Sequence, residues 1–260
     1  MDKSSIIGII LGVLAIVLGM VFKGTSLMVL VNPAAIMIIG VGTVASLLIA
    51  FPMSEIKKVP KLFKILFTEK KQATPQDLIQ QLVELGTVSR QEGMLALESK
   101  VKEIENSFMK QAIRMISDGM DPDFIRNALS EKIESMQQRH SSGAQIFTQA
   151  GTYAPTLGVL GAVLGLIAAL GNMDDTEALG HAIAAAFVAT LFGIFCGYVL
   201  WHPFANKLKQ KSKREAFEKY LIIEGAILII DGVSPRQIEE TLSMYLEEGA
   251  QEKLLQGSEA

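Results

Sequence analysis

The chain has 260 residues, half of them hydrophobic and a fifth charged, with a formal net charge of −3 and a mean hydropathy of +0.35. That average is too apolar for one water-soluble globule with so many charges, so the two kinds of residue are segregated into a membrane part and an aqueous part. The acidic balance argues against a nucleic-acid partner, and the single cysteine, Cys196, has no mate for a disulfide and reads as a packing residue.

A helix needs about twenty mostly apolar residues to cross a bilayer, rising about 1.5 Å per residue through a core of about 30 Å. Four segments qualify, over residues 6–22, 33–51, 151–170 and 182–201. The first lacks the charged start and cleavage site of a signal peptide and reads as a retained span. A short loop with Lys23, Gly24 and Asn32 joins the first two, and the acidic run Asp174-Asp175-Thr176-Glu177 joins the last two. Lysine and arginine set the direction: Lys57, Lys58, Lys61, Lys64, Lys70 and Lys71 follow the second span, and Lys207, Lys209, Lys211, Lys213 and Arg214 follow the fourth. Both termini and the middle of the chain are therefore expected in the cytoplasm of a cell whose plasma membrane the chain crosses. That topology argues against a receptor or an extracellular enzyme.

The chain divides as residues 1–53 (spans one and two), 54–149 (a cytoplasmic helical domain), 150–206 (spans three and four) and 207–260 (a helical tail), an all-α polytopic membrane protein. Residues 54–67 place Ile56, Val59, Phe63 and Leu66 at helical spacing among lysines, as in a basic helix at the inner membrane surface, with a kink expected at Pro60. Thr74-Pro75 opens a helix running to about Arg90, where Gly93 loosens the chain. Another helix covers Met109 to Asp118. Asp121-Pro122 opens a long one that meets no stop before Gly143 and is expected to continue into the third span.

No catalytic constellation accompanies these elements. The histidines are far apart and no phosphate loop or paired cysteines occur, so no cofactor, metal or nucleotide is expected and an enzyme is the weakest reading; His140 reads as a solvated helix residue. The span interiors carry no ionisable residue, although a carrier of ions through hydrocarbon normally has one; His181, at the outer mouth, is equally an interfacial residue. If ions cross, a partner supplies the titrating group. The third span offers Thr156, Gly158, Gly161, Ala162 and Gly165, and the fourth Ala185, Ala189, Thr190, Gly193 and Gly197. Spacing alone leaves open whether these serve close packing or a path. Pro155 and Pro203 frame the region, each able to free a backbone carbonyl.

These residues also carry a resemblance. Gly151-Thr-Tyr-Ala-Pro155, Gly158 to Ala162, Ala189-Thr190 to Gly193 and Trp201-His-Pro203 resemble the flagellar motor stator subunits of the MotA family, and nearest those of Gram-positive bacilli. So do Asn32-Pro33-Ala34, Phe51-Pro52, Arg90 to Gly93, Asp118-Gly119 with Ile125-Arg126, Ile223-Glu224-Gly225, Gly232 and Pro235-Arg236. The resemblance implies a homopentameric ring in membrane lipid around a MotB dimer, whose membrane aspartate supplies the missing carboxyl. It also implies a rotor partner, FliG, met by Arg90 and Glu98. On sequence alone those two are equally solvated charges, sharing a face only if one helix passes Gly93.

Along the ion path the resemblance places Pro155, Ala162, Thr190 and Pro203. Sodium-driven relatives carry threonines where this chain has Ala162 and Ala189, and hydroxyls replace part of the hydration shell of a hard cation. Losing two of three favours protons, with Thr190 lining the path. Thr152 stands where some relatives carry an aspartate, which removes a carboxylate role there. Three alternatives compete: a sodium-driven stator of the same family, an ExbB/TolQ-type energy transducer, which normally has three spans, and a helical scaffold without ion flow.

Overall fold

The computed structural model describes residues 2–68, 73–171 and 175–251. Lys70, Lys71 and Asp174, which bear on the topology, lie outside them. The chain separates into two compact units, one of residues 1–69 and 139–210, the other of residues 70–138 and 211–260.

The first unit begins with α1 (Lys3–Phe22), capped by the Asp2 side chain, which accepts from the Ser5 amide at 3.4 Å. After a 3-10 turn at Leu27–Leu30, the second span is assembled from α2 (Pro33–Ile36), a π turn at Met37–Val41 and α3 (Gly42–Ala50). Asn32 caps α2, accepting from the Ala35 amide at 3.1 Å with Pro33 at the first helical position, where no N–H is missed.

Then come α4 (Met53–Ile56) and α5 (Val59–Phe67). Pro60 sits in the first turn of α5 and begins a helix instead of kinking one, because its missing N–H would be unsatisfied there anyway. α5 is amphipathic as expected: Leu66 is buried, Leu62 and Phe63 are half-buried, and Lys61 and Lys64 are exposed.

The second unit opens with α6 (Pro75–Glu92), started by a capping box in which Thr74 and Asp77 each accept from the other's amide. These bonds hold the Asp77 carboxyl below its ordinary range. α7 (Leu97–Val101) and α8 (Ser107–Ser117) follow. α9 (Pro122–Leu170) is one unbroken 49-residue helix, as the missing stop signal at Gly143 implied. α10 (Thr176–Phe195), a π turn at Cys196–Trp201 and α11 (His202–Ile230) form the fourth span and its extension, and α12 (Pro235–Ser243) follows in the second unit.

The two units bury themselves differently. In the second, a contiguous core runs through Leu78, Leu82, Ile113, Ile125, Leu129, Ile222 and Ile238, as in a water-soluble bundle. In the first, α1 buries none of its most apolar window, and Phe22 and Ile49 are 86% and 89% exposed. Eight large apolar side chains of α1 stand at least 44% exposed. At about 1.5–3 kcal/mol per fully transferred side chain, leaving even these half in water costs on the order of 10 kcal/mol, so the surface requires hydrocarbon. Among the described residues, four helical runs are long and apolar enough to span a bilayer.

Beside the spans, Phe63 and Phe67 of α5 pack with Phe147 of α9, Trp201 and Phe204, ring centroids 5.2–6.3 Å apart and mostly edge to face.

Candidate ion path and rotor-facing charges

The small residues of the third and fourth spans form a seam. A Cβ on Gly158 would lie 2.8 Å from the Ala189 carbonyl oxygen, and one on Gly193 would lie 2.7 Å from that of Ala154 and 3.1 Å from the Pro155 Cα. Gly161 meets Ala189, Gly165 meets Ala186, and Gly197 meets Pro155. Contacts that step forward along α9 step backward along α10, so the helices run antiparallel with their backbones touching. The Gly161–Gly165 spacing is thus one stretch of a longer packing surface.

Antiparallel packing also fixes which side chains emerge together. One residue beyond a contact turns about 100° on each helix, and toward the same side of the seam because the helices run in opposite directions. Ala162 follows Gly161 and Thr190 follows Ala189, so this pair shares a side. Thr156 follows Pro155, and Tyr198 follows Gly197, on that same side. Ala162 and Thr190 are half-buried while Thr156 and Tyr198 are exposed. The hydroxyls of Thr190 and Thr156 donate to the Ala186 and Tyr153 carbonyls at 3.4 and 2.7 Å, leaving acceptor lone pairs directed outward. Ala189, which bore on the choice of ion, is 3% exposed and belongs to the seam itself.

Pro155 lies within α9 without ending it. It cannot donate to the Gly151 carbonyl four residues back, and that oxygen would lie 2.8 Å from a Cβ on Gly197. The carbonyl released by proline thus faces a glycine on the fourth span. Pro203 is exposed in the first turn of α11, after the π turn.

Sequence reasoning missed the second role of Asn32. Its Nδ2 donates to the Ala185 carbonyl at 3.1 Å, so one side chain caps α2 and ties it to α10. It also missed Asp2 and Lys207, paired at 2.7 Å, with the Asp2 amide donating to the Phe67 carbonyl at 3.0 Å. Burial pushes the Asp2 carboxyl up, but the bonds from Lys207, Ser4 and Ser5 outweigh it and hold the group well below the usual carboxylate range. At the other end of the spans His181 is exposed, its Nε2 3.9 Å from Glu177.

Arg90 and Glu98 do not share a helix. α6 ends at Glu92, and Gly93 takes φ +87°, the left-handed region that suits glycine. A 3-10 turn at Met94–Ala96 leads into α7, which buried Leu97 and Val101 anchor. Both charges are exposed, Arg90 in the last turn of α6 and Glu98 in the first turn of α7, where each also complements its helix dipole.

Residues 100–220 match the MotA/TolQ/ExbB proton channel family and residues 6–93 match the motility protein A N-terminal region. The chain is 56% identical to Motility protein A of Bacillus subtilis over 95% of its own length and 91% of that protein. It is 36% identical to Chemotaxis protein PomA of Vibrio alginolyticus over 96% and 97% of the two chains. The fold matches the flagellar MotAB stator complex of Bacillus subtilis with a TM-score of 0.92 at 55% identity, covering 97% of this chain and 99% of that one. It matches MotAB of C. jejuni with a TM-score of 0.90 at 31% identity, covering 95% and 97%. The four spans, the glycine seam and these likenesses agree: the chain belongs to the MotA/TolQ/ExbB proton channel family, in its branch of flagellar motor stator subunits.

Proposed function

We propose that this subunit assembles as a homopentamer around a MotB dimer, conducts protons in concert with the partner's membrane aspartate, and transmits torque through Arg90 and Glu98 to FliG. Both termini and residues 54–149 are cytoplasmic in this reading, following the lysines after the second and fourth spans. The observation that carries it is the polar side of the α9–α10 seam, along which Thr156, Thr190 and Tyr198 lie on the same side as Ala162 while the spans contribute no carboxyl. A hydroxyl-lined, acid-free surface suits a partner that brings the acid. Alanine at position 162 and the packed Ala189 leave few oxygens to strip a sodium ion of its water, which favours the proton.

The test is swimming of a strain without its own stator genes, supplied with this chain and its cognate MotB, as sodium is replaced by potassium and a protonophore is then added. Motility that survives sodium removal and stops with the protonophore is expected. Sodium-dependent motility would overturn the choice of ion, and immotile cells holding a well-expressed pair would overturn the stator assembly.

A further inference from the structure

At the inner end of the seam lies a histidine. His202 comes directly after the π turn at Cys196–Trp201 and is half-buried. Its ring lies on α9 where a side chain is missing: a Cβ on Gly151 would come within 2.8 Å of three ring atoms. Its other ring neighbour is Tyr198, centroids 5.3 Å apart. Tyr198 is 64% exposed on the side of the seam that carries Thr156 and Thr190. Among the described residues no hydrogen bond engages either nitrogen of His202.

These features belong together. Gly151 holds the ring by shape, not by a polar bond, so neither nitrogen is committed to a structural partner. The π turn adds a residue to the helical turn and so changes the heading at which α11 sets out, a device that recurs at functional sites. Between Asp175 and Lys207, the carboxylate and imidazole side chains are Glu177 and His181 at the outer end and His202 at the inner end. Tyr198 brings its phenol ring against His202, and Gly151 of α9, on which the imidazole packs, brings no side chain.

We propose that His202 is the inward proton acceptor of this stator subunit. The neutral imidazole takes the proton from the partner's membrane carboxyl through intervening water, leaving a carboxylate and an imidazolium, and the imidazolium then releases it to cytoplasmic water or buffer. The carboxylate regains its proton from the outer side, so carboxyl and imidazole return to their starting charge and one proton has passed from outside to the cytoplasm. The role rests on the proton-driven stator reading above.

The test uses the full chain with cognate MotB in a stator-less strain, reading rotation speed of single motors at low load, where proton transfer and not torque sets the pace. His202→Gln and His202→Asn, both uncharged, are expected to assemble at normal levels, keep torque near stall, and lose speed several-fold at low load. Added imidazole, which enters cells and accepts protons, is expected to restore speed to the variants and leave the parent unchanged, a response that a purely packing role would not give. Parent-like low-load speed in either variant, or slow motors that imidazole leaves slow, would overturn the proposal. Sodium-dependent rotation of the parent would instead overturn the proton reading beneath it.

Discussion

Arg126 and Glu224, 98 residues apart in sequence, meet in a two-pronged ion pair between α9 and α11 in the second unit. Arg126 Nη1 donates to Oε1 and Nη2 to Oε2, the latter at 3.2 Å. On α11 the adjacent Gly225 admits Leu82 of α6, whose methyl would lie 2.6 Å from a Cβ. Ile125-Arg126 and Glu224-Gly225 are separate motifs in the sequence and one junction in the fold.

That geometry predicts that Arg126→Ala lowers the stability of the assembled subunit by about 1 kcal/mol, since both side chains are roughly a third exposed and water screens the pair. The charge swap Arg126→Glu with Glu224→Arg should recover most of the loss. Thermal unfolding of the complex in lipid nanodiscs measures both, and equal loss in the single and swapped variants would refute the coupling.

The seam makes a sharper prediction because backbone, not side chain, lies in the way. Gly193→Ala places a methyl 2.7 Å from a carbonyl oxygen that cannot move aside, forcing α9 and α10 apart at a cost of about 1–3 kcal/mol. Gly8→Ala on α1 meets nothing within 4 Å and serves as the control. Yield of purified complex and swimming speed should fall for the first and hold for the second.

Most of this fold could be read from the chain, for physical reasons that vary by element. Hydrocarbon demands length and apolarity, so all four spans stood out, and Thr74-Pro75 announced α6 through cap chemistry with a single solution. The boundary at Arg90 was legible through Gly93, but its consequence, Glu98 on a separate short helix, depended on a positive φ that spacing does not encode. Asn32 was visible only as a motif residue, because its bond to Ala185 is a tertiary fact. The packing of Ala189 was hidden for a related reason: alanine suits a path and a helix contact equally, and only the facing Gly158 and Gly161 show the contact.

Burial sets a pH response at Glu218, which is 5% exposed on α11. Burial raises its carboxyl above the ordinary glutamate value, and Arg214 at 3.3 Å offsets part of that. A carboxyl raised in the folded state stabilises fully below its unfolded value of about 4.3, and that contribution is lost as pH rises through the folded value. Glu218→Gln should therefore match the parent near pH 4 and unfold at higher temperature at pH 7. An unchanged gap between the two pH values would contradict the burial argument.

Asp2 has the opposite sign. Its depressed carboxyl contributes stability above the unfolded value of about 3.9 and loses it as pH falls below that toward the folded value. Asp2→Asn should loosen the start of α1 at neutral pH, where the Lys207 bond is lost, and converge with the parent in strong acid. Amide exchange at Ser5, whose N–H the Asp2 carboxylate accepts, reports the change locally.

The seam also separates two alanines that a substitution table treats alike. Ala162 is half-buried on the polar side, so Ala162→Thr adds a hydroxyl beside Thr190 without entering the helix contact. Ala189 is buried, with its Cβ 3.2 Å from where a Cβ on Gly161 would lie, so Ala189→Thr adds two heavy atoms to a closed interface. The first variant is expected to assemble normally and to swim faster with sodium than with potassium, because a second oxygen now helps replace a cation's hydration shell. The second is expected to lose complex before any change of ion can register. Normal assembly of Ala189→Thr with a gain in sodium response would move the path onto the seam itself, and with it the assignment of which face of α10 the ion meets.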